Sequence, residues 1–218
     1  GFGAGCNHGA KAGNSEFIFM LNADTEICPD ALELMEDAIA SAPAQTAAFE
    51  MKQLPYEQSK YYNPATLECT WNSGACVVYK REVYEEVGGY DENIFMYSED
   101  VDISWRIRAL GYRLLYVPKA CVIHHCESNE KNDFFMYYSD LYSKLLLGYK
   151  YGAEKQAIRH YLRAIKRPRH FPHVRQILVK NFFKHFFHIH KFKGWSIKHK
   201  DLSKKAPADF SENYGPVR

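Results

Sequence analysis

A run of five apolar residues at 17–21 passes directly into Asn22-Ala23-Asp24 and then into apolar positions at helical spacing between 29 and 43. A continuous apolar run of this length is typical of a strand buried on both faces of a sheet. The order of strand, loop and helix predicts an α/β fold. It also places Asp24 at the carboxyl end of a strand, where open α/β sheets bind ligands, although a carboxylate there can equally cap the following helix.

The same alternation of strands and helices continues to about residue 132. The glycine-rich residues 1–9 predict a loop that turns into a short helix, and residues 44–74, which lack a clear period, predict an extended loop or short strands. Further strands are predicted at 75–79, 114–117 and 121–123, and further helices at 81–87 and 98–109. We therefore expect a mixed sheet flanked by helices over 1–132, followed by a helical, basic, aromatic-rich extension over 133–218.

Charge is divided unevenly between the two parts of the chain. The formal net charge is +2, but residues 151–218 alone carry +12 and the remainder carries −10. Helical patterns are predicted at 134–151, 154–166 and 174–192, and the last alternates paired phenylalanines with basic residues. Such a helix suits an anionic membrane surface, and it could equally pack its phenylalanines on the acidic body. Nucleic-acid binding is not favoured, because no RNA- or DNA-binding motif accompanies the basic residues.

Composition excludes several classes of protein. Apolar residues make up 46% of the chain, which excludes intrinsic disorder of the whole. Six cysteines lack the regular spacing of a disulfide framework, so we expect reduced thiols and a cytoplasmic location. No apolar run reaches the roughly 18 residues that a membrane-spanning helix needs. The chain opens at Gly1 inside a predicted loop, and we expect it to be a fragment of a longer protein.

Three carboxylates are concentrated at the predicted start of the helix at 98–109. Asp102 and Arg106 form an i,i+4 pair, and acidic residues gain from the dipole at a helix N-terminus. These effects explain Asp102 and Arg106 but leave Glu99 and Asp100 unexplained. Crowded carboxylates raise one another's pKa values, which favours general-base chemistry.

A compact group of potential soft-metal ligands follows at Cys121, His124, His125 and Cys126. Structural zinc sites draw on two separated ligand pairs, and this chain lacks a second well-spaced pair, so zinc is the weaker interpretation. Strand alternation points His124 and His125 to opposite faces of the sheet.

The motifs, taken in order, resemble those of the family 2 glycosyltransferases of the GT-A fold, in particular the bacterial branch of rhamnosyltransferases. The resemblance is carried by Gly-Phe-Gly-Ala-Gly-Cys-Asn-His-Gly at 1–9, Phe-Met-Leu-Asn-Ala-Asp-Thr at 19–25, Ser-Gly-Ala-Cys at 73–76, Gly-Gly-Tyr-Asp-Glu at 88–92 with Phe95, Glu-Asp-Val-Asp at 99–102 with Arg106, and Val-Ile-His at 122–124. It runs over about residues 1–128. It implies a partial GT-A (Rossmann-like) sheet without the N-terminal nucleotide-binding portion of the family.

The resemblance also implies an activity and roles for particular residues. The expected reaction is inverting transfer of a sugar from a UDP- or dTDP-linked donor to a glycan or lipid-linked acceptor, in the synthesis of bacterial surface polysaccharide or cell wall. Asp24 and His124 would bind the metal, Asp100 would be the base, and Glu99 would orient acceptor or base. The residues that would contact donor or acceptor are Asn7, Asn22, Trp71, Asn72 and Gly74.

The implied cofactor is Mn²⁺ or Mg²⁺, because carboxylate and phosphate oxygens suit a hard cation and the imidazole favours Mn²⁺. The basic tail would hold the protein at the inner face of the cell membrane, beside lipid-linked acceptors. The alternative is a truncated, non-catalytic homologue that binds glycan or membrane.

Overall fold

The computed structural model describes residues 1–58, 60–125, 130–166, 175–182, 184, 185 and 187. The strands are β1 (Phe17–Leu21), β2 (Thr25–Ile27), β3 (Thr46–Leu54), β4 (Cys76–Lys80) and β5 (Arg113–His124). The helices are α1 (Phe2–Lys11), α2 (Ala31–Ser41), α3 (Arg81–Glu86), α4 (Glu99–Ala109), α5 (Glu130–Lys150) and α6 (Glu154–Lys166). The described residues between 175 and 187 are helical as well, and the rest of the helix predicted at 174–192 lies outside the described residues.

The strands form one mixed sheet in the order β1-β4-β3-β5-β2. β3 and β5 are parallel, and the other neighbouring pairs are antiparallel. Helix α2 packs Ala31 and Met35 on one face of the sheet, and α3 and α4 pack Val83, Ile103 and Ile107 on the other. The expected α/β class, a mixed sheet flanked by helices, is confirmed.

Two strand predictions need correction at the centre of the sheet. Residues 46–54, expected as loop or short strands, form β3, which pairs with both β4 and β5. The two short strands expected around Pro118 are one strand, β5. Its partner register steps from Val117 opposite Met51 to Cys121 opposite Lys52, so a bulge absorbs the proline that cannot donate to the ladder.

Two further corrections concern the first thirty residues. The opening glycine-rich segment is helix α1 from Phe2 onward, because its small residues let it lie against Tyr90, where a Cβ on Gly3 would come within 2.8 Å of the Tyr90 Cβ. β1 was expected to be buried on both faces. Instead Phe19 and Leu21 are 37% and 40% exposed, because β1 lies at one edge of the sheet.

Helix α5, which follows the last strand of the sheet, is bound to the rest of the protein by ion pairs and ring contacts. Lys150 of α5 makes ion pairs with Asp91 and Asp102, and the Tyr151 ring meets Trp105 edge-on at 5.1 Å. α5, α6 and Leu178 share a second apolar core. Over the part of the chain that the structure describes, no helix is long and apolar enough to span a bilayer.

Candidate active site

A cavity of about 450 Å³ opens where β1 ends, β4 begins and α4 starts. Its lining residues come from loops at strand ends, from the first turn of α4 and from α5. They are Phe2, Asn22, Gln58, Trp71, Ser73, Gly74, Ala75, Met96, Tyr97, Ser98, Glu99, Asp100, Val101, His124, Met136, Tyr137, Asp140 and Lys144. The structure thus brings together six of the residues predicted from sequence: Asn22, Trp71, Gly74, Glu99, Asp100 and His124.

The backbone is strained where it enters α4. Tyr97 and Ser98 have φ values of 65° and 69°, the left-handed region that non-glycine residues seldom adopt. This turn delivers Glu99 and Asp100 to the first turn of α4, where the helix dipole favours negative charge. The conformation of this turn therefore orients the Glu99 and Asp100 carboxyl groups toward the cavity.

Asp100 is held by two backbone donors. The N–H of Gly74 donates to Oδ2 over 3.1 Å, and the N–H of Val101 donates to Oδ1 over 2.8 Å. Burial raises the pKa of Asp100 to about 6, against the lowering effect of these two hydrogen bonds. At neutral pH the group is an ionised carboxylate with a raised pKa, which is the state a general base requires.

Glu99 immediately precedes Asp100 and is only 6% exposed. Burial, followed by the charge of Asp100, raises the pKa of Glu99 to about 8. The two carboxyl groups titrate as a pair, because the charge of Asp100 disfavours ionisation of Glu99. When such a pair holds one proton, one carboxyl group can donate a hydrogen bond while the other accepts a proton.

Glu50 of β3 fixes the loop that carries Gly74. Its Oε2 accepts hydrogen bonds from the Ser73 N–H at 2.8 Å and the Asn72 side-chain amide at 3.2 Å. Lys60 neutralises Glu50 in a buried ion pair and lies 5.1 Å from the centroid of the Trp71 ring. Sequence reasoning missed Glu50, and its only signal was a lone carboxylate within an apolar segment.

His124 lines the cavity, and next to it lies Asp24, which is not one of the lining residues; together they offer ligands suited to a cation. Asp24 Oδ1 and His124 Nε2 lie 3.3 Å apart, close to the spacing of about 3 Å expected for neighbouring ligands of one octahedral Mg²⁺ or Mn²⁺. The other ring nitrogen of His124 lies 3.0 Å from Gln53 Oε1, an arrangement that fixes the ring orientation. Asn22, which lines the same cavity as His124, has a buried Oδ1 without a hydrogen-bond partner, so it is an orphaned acceptor.

These groups fit a cation whose shell is completed by a ligand. Among the described residues, no set of three or more His, Cys, Asp or Glu side chains converges on one point. Two protein ligands leave room for phosphate oxygens, as Mg²⁺ sites commonly do. His125 follows the last residue of β5, so strand alternation does not extend to it. Its backbone N–H donates to the Asp24 carbonyl at 2.8 Å, while its imidazole lies 3.5 Å from Glu26 Oε2 on an exposed surface. Cys121 contacts backbone carbonyls, and Cys126 is outside the described residues.

Asn7 and Asn72 are placed in the interior rather than in the cavity. Asn7 joins α1 to the turn at 88–92, donating to Tyr90 O and Glu92 while accepting from the Tyr84 hydroxyl. Asn72 is fully buried and supports the cavity loop from behind. The geometry shows structural hydrogen bonds for both residues.

The α5 residues of the cavity were also missed by sequence reasoning. Met136, Tyr137, Asp140 and Lys144 belong to the segment that was assigned to the extension, yet they line the cavity with Glu99 and Asp100. The spacing of these residues is helical, but charged helix positions more often face solvent, so no sequence pattern points specifically to the cavity.

Comparison with known proteins agrees with this arrangement. Residues 40–140 match the family described as glycosyltransferase like family 2. The N-acetylglucosaminyl-diphospho-decaprenol L-rhamnosyltransferase of Mycobacterium tuberculosis is 41% identical over 70 residues, which are 32% of this chain and 22% of that protein. The succinoglycan biosynthesis protein ExoA of Rhizobium meliloti is 26% identical over 180 residues, covering 75% of this chain and 49% of that protein.

The matches span about a fifth and about half the length of these two relatives. The crystal structure of GalNAc-T7 with UDP, GalNAc and Mn²⁺ aligns with a TM-score of 0.50 at 16% identity, over 89% of this chain and 44% of that one. This likeness concerns the fold, which is the mixed α/β sheet of GT-A glycosyltransferases. The segment that matches this family spans the central strands and the carboxylate pair, so this part of the chain is similar to the family 2 glycosyltransferases.

Proposed function

We propose that the protein transfers a sugar from a nucleotide-sugar donor to a hydroxyl of a glycan or lipid-linked acceptor, with inversion at the anomeric carbon. The observation that carries the proposal is the Asp100 carboxylate, held by two backbone N–H groups in a cavity that also contains His124 and Asn22. Relatives named for rhamnosyl transfer and succinoglycan synthesis support a role in bacterial polysaccharide or cell-wall synthesis.

Asp100 acts as the general base in this proposal. It takes the proton of the acceptor hydroxyl as that oxygen forms a bond to the anomeric carbon, while the bond to the nucleotide diphosphate breaks on the opposite face of the sugar. The carboxylate remains oriented because Gly74 and Val101 hold its two oxygens. Protonated Glu99 orients the acceptor or the base through a hydrogen bond.

Asp24 and His124 would hold Mn²⁺ or Mg²⁺, with Asn22 nearby to meet the donor. The 3.3 Å separation of Asp24 Oδ1 and His124 Nε2 and the orphaned oxygen of Asn22 fit this role. The bound cation supplies charge neutralisation for a UDP or dTDP leaving group. The imidazole ligand favours Mn²⁺ over Mg²⁺.

Trp71 and Gly74 border the sugar-binding space in this proposal. The indole lies in the cavity wall, and its Nε1 is buried without a hydrogen-bond partner, which leaves a donor for a ligand oxygen. Asn72 contributes indirectly by supporting the loop, and Asn7 by fixing α1. A pocket with aromatic walls and a few convergent polar groups is typical of a small-ligand site.

The proposal also assigns the enzyme to the cytoplasmic, inner face of the cell membrane, where the basic helical segment that contains Lys180 and Lys184 would hold it. Lys180, Lys184 and Phe187 are exposed, so cations and an apolar side chain are available to an anionic surface. This surface lies on the same helical unit as α5, which borders the cavity. A lipid-linked acceptor would then be close to Asp100.

Turnover by the Asp100→Asn variant tests the proposal. Unmodified protein is incubated with UDP- and dTDP-sugars, Mn²⁺ and a polyprenyl-diphosphate-linked N-acetylglucosamine, and release of nucleoside diphosphate is measured. Loss of the base should lower the rate by roughly a hundredfold or more while nucleotide affinity is preserved. Equal rates in the two proteins would remove Asp100 from the mechanism. Binding without turnover in both would favour a non-catalytic homologue.

A further inference from the structure

One wall of the active-site cavity is formed by α5, outside the segment that carries the metal and base residues. Met136, Tyr137, Asp140 and Lys144 line the cavity, and their spacing along the helix puts them on one face. The cavity's other walls include Glu99 and Asp100. A molecule bound against this face of α5 therefore lies in the same space as the proposed base.

The position of α5 relative to the base is fixed by buried polar contacts. Ser143 Oγ donates to the Met96 carbonyl at 2.9 Å, in the loop that leads into α4. Lys150 Nζ lies 2.5 Å from Asp102 Oδ1 and is itself only 1% exposed, so α5 is bound to α4 by a buried charge. Displacing α5 would leave such charges unpaired, at a high cost in free energy.

Asp140 and Lys144 provide a hydrogen-bond acceptor and a hydrogen-bond donor side by side on this wall. Lys144 Nζ lies 2.7 Å from Asp140 Oδ2, and their side chains are 13% and 31% exposed, respectively. A carboxylate can accept several hydrogen bonds and an ammonium can donate three. A sugar hydroxyl donates and accepts at the same atom, so neighbouring hydroxyls match such a pair. The rings of Tyr137 and Trp71 in the cavity lining provide apolar surface for the sugar's C–H groups.

We propose that Asp140 and Lys144 form an acceptor-binding subsite that recognises the hydroxyl groups of a carbohydrate. The inference rests on the proposed function, because it assigns the acceptor to α5 and leaves the donor to Asn22, Asp24 and His124. Under this proposal α5 selects the acceptor sugar, and the segment beyond the sheet is part of the active site.

The test measures sugar binding and nucleotide binding separately. The probes for the subsite are methyl α-L-rhamnoside, methyl β-D-glucoside and methyl N-acetyl-β-D-glucosaminide, observed by saturation-transfer NMR with UDP and Mn²⁺ present. At least one should bind the unmodified chain. Asp140→Asn and Lys144→Met should each weaken that binding about tenfold, the loss of a hydrogen bond to a charged group.

Matched controls are Asp37→Asn on α2 and Lys155→Met on α6, which are exposed and lie outside the cavity. These should leave sugar affinity unchanged, and thermal unfolding shows whether each variant is folded. Calorimetric titration with UDP and Mn²⁺ should give one affinity for all five proteins. Unchanged sugar affinity in both cavity variants, or no binding of any glycoside to the unmodified chain, would overturn the subsite. If the unmodified chain does not bind UDP, that result would count against the proposed function rather than against the subsite.

Discussion

The backbone N–H of Gly74 donates a hydrogen bond of 3.1 Å to Oδ2 of Asp100. The contact joins the loop before β4 to the first turn of α4, two segments that are 26 residues apart in sequence. The next residue back, Ser73, is held by Glu50 of the central strand β3. Orientation of the proposed base therefore depends on a buried carboxylate that does not line the cavity.

Replacing Glu50 should change the ionisation of Asp100. The negative charge of Glu50 contributes to raising the pKa of Asp100, and Lys60 lowers it. Glu50→Gln should therefore move the pKa of Asp100 below about 6, and Lys60→Met should move it above that value. Carboxyl-carbon NMR titration measures both shifts. Glu33→Gln on the exposed face of α2 is the charge-matched control. Shifts of the same sign in both variants would contradict this account.

Stability should fall as pH rises between about 4.5 and 8. The pKa of Glu99 is raised from 4.5 to about 8 in the folded protein, mainly by burial. In that window the folded state binds a proton that the unfolded state has released, so stability decreases with pH. Glu99→Gln should flatten this part of the profile, as measured by urea unfolding at successive pH values. A slope that Glu99→Gln leaves unchanged would show that another group is responsible.

Lys150→Met should destabilise the protein strongly. The variant leaves Asp91 without its 2.7 Å ion pair, whereas Asp102 keeps Arg106 at 2.8 Å. Breaking a buried pair by removing one partner costs about 3–5 kcal/mol. Chemical denaturation measures the loss, and Lys155→Met, at an exposed position of α6, should cost less than about 0.5 kcal/mol. Similar losses in the two variants would mean that α5 does not depend on this ion pair.

Binding to vesicles should depend on anionic lipid and on the C-terminal helix. The double variant Lys180→Gln with Lys184→Gln should bind phosphatidylserine-containing vesicles about thirtyfold more weakly. The reason is that each exposed lysine contributes about 1 kcal/mol to binding an anionic surface. Co-sedimentation measures the effect. Lys11→Gln with Lys119→Gln, on the body of the protein, is the matched control. Equal retention by pure phosphatidylcholine vesicles would argue against electrostatic docking.

The elements that were predicted well from sequence have a clear period of apolar residues or a clear turn at one end. α2 shows apolar residues at helical spacing, and β4 is a short apolar run after a Gly-Ala turn. β3 was missed because Glu50, Lys52 and Gln53 interrupt its apolar pattern. The burial of Glu50 is made possible by partners at 60, 72 and 73, and such distant pairing has no local signal.

Residues of the candidate site could be predicted from sequence where a carboxylate stands at the end of a strand or at the start of a helix. Asp24 directly follows a strand, and Glu99 and Asp100 are more carboxylates than helix capping requires. The residue type and the sequence position of these three residues therefore indicated a functional site. The opening helix was not predictable, because glycine is a weak helix former and packing against Tyr90 overrides that propensity. The role of Asp140 and Lys144 in the cavity depends on how α5 docks, which the i,i+4 spacing of a charged pair does not reveal.

The most direct test of the central claim is calorimetric titration with UDP and with dTDP, with and without Mn²⁺, on the unmodified chain and on Asp24→Ala. The account predicts binding that requires Mn²⁺ and is lost in the variant, because Asp24 and His124 would hold the cation that meets the diphosphate. Glu26→Ala, a nearby exposed carboxylate, should bind as the unmodified chain does. Nucleotide binding that is equally strong without Mn²⁺, or that survives in Asp24→Ala, would contradict the account.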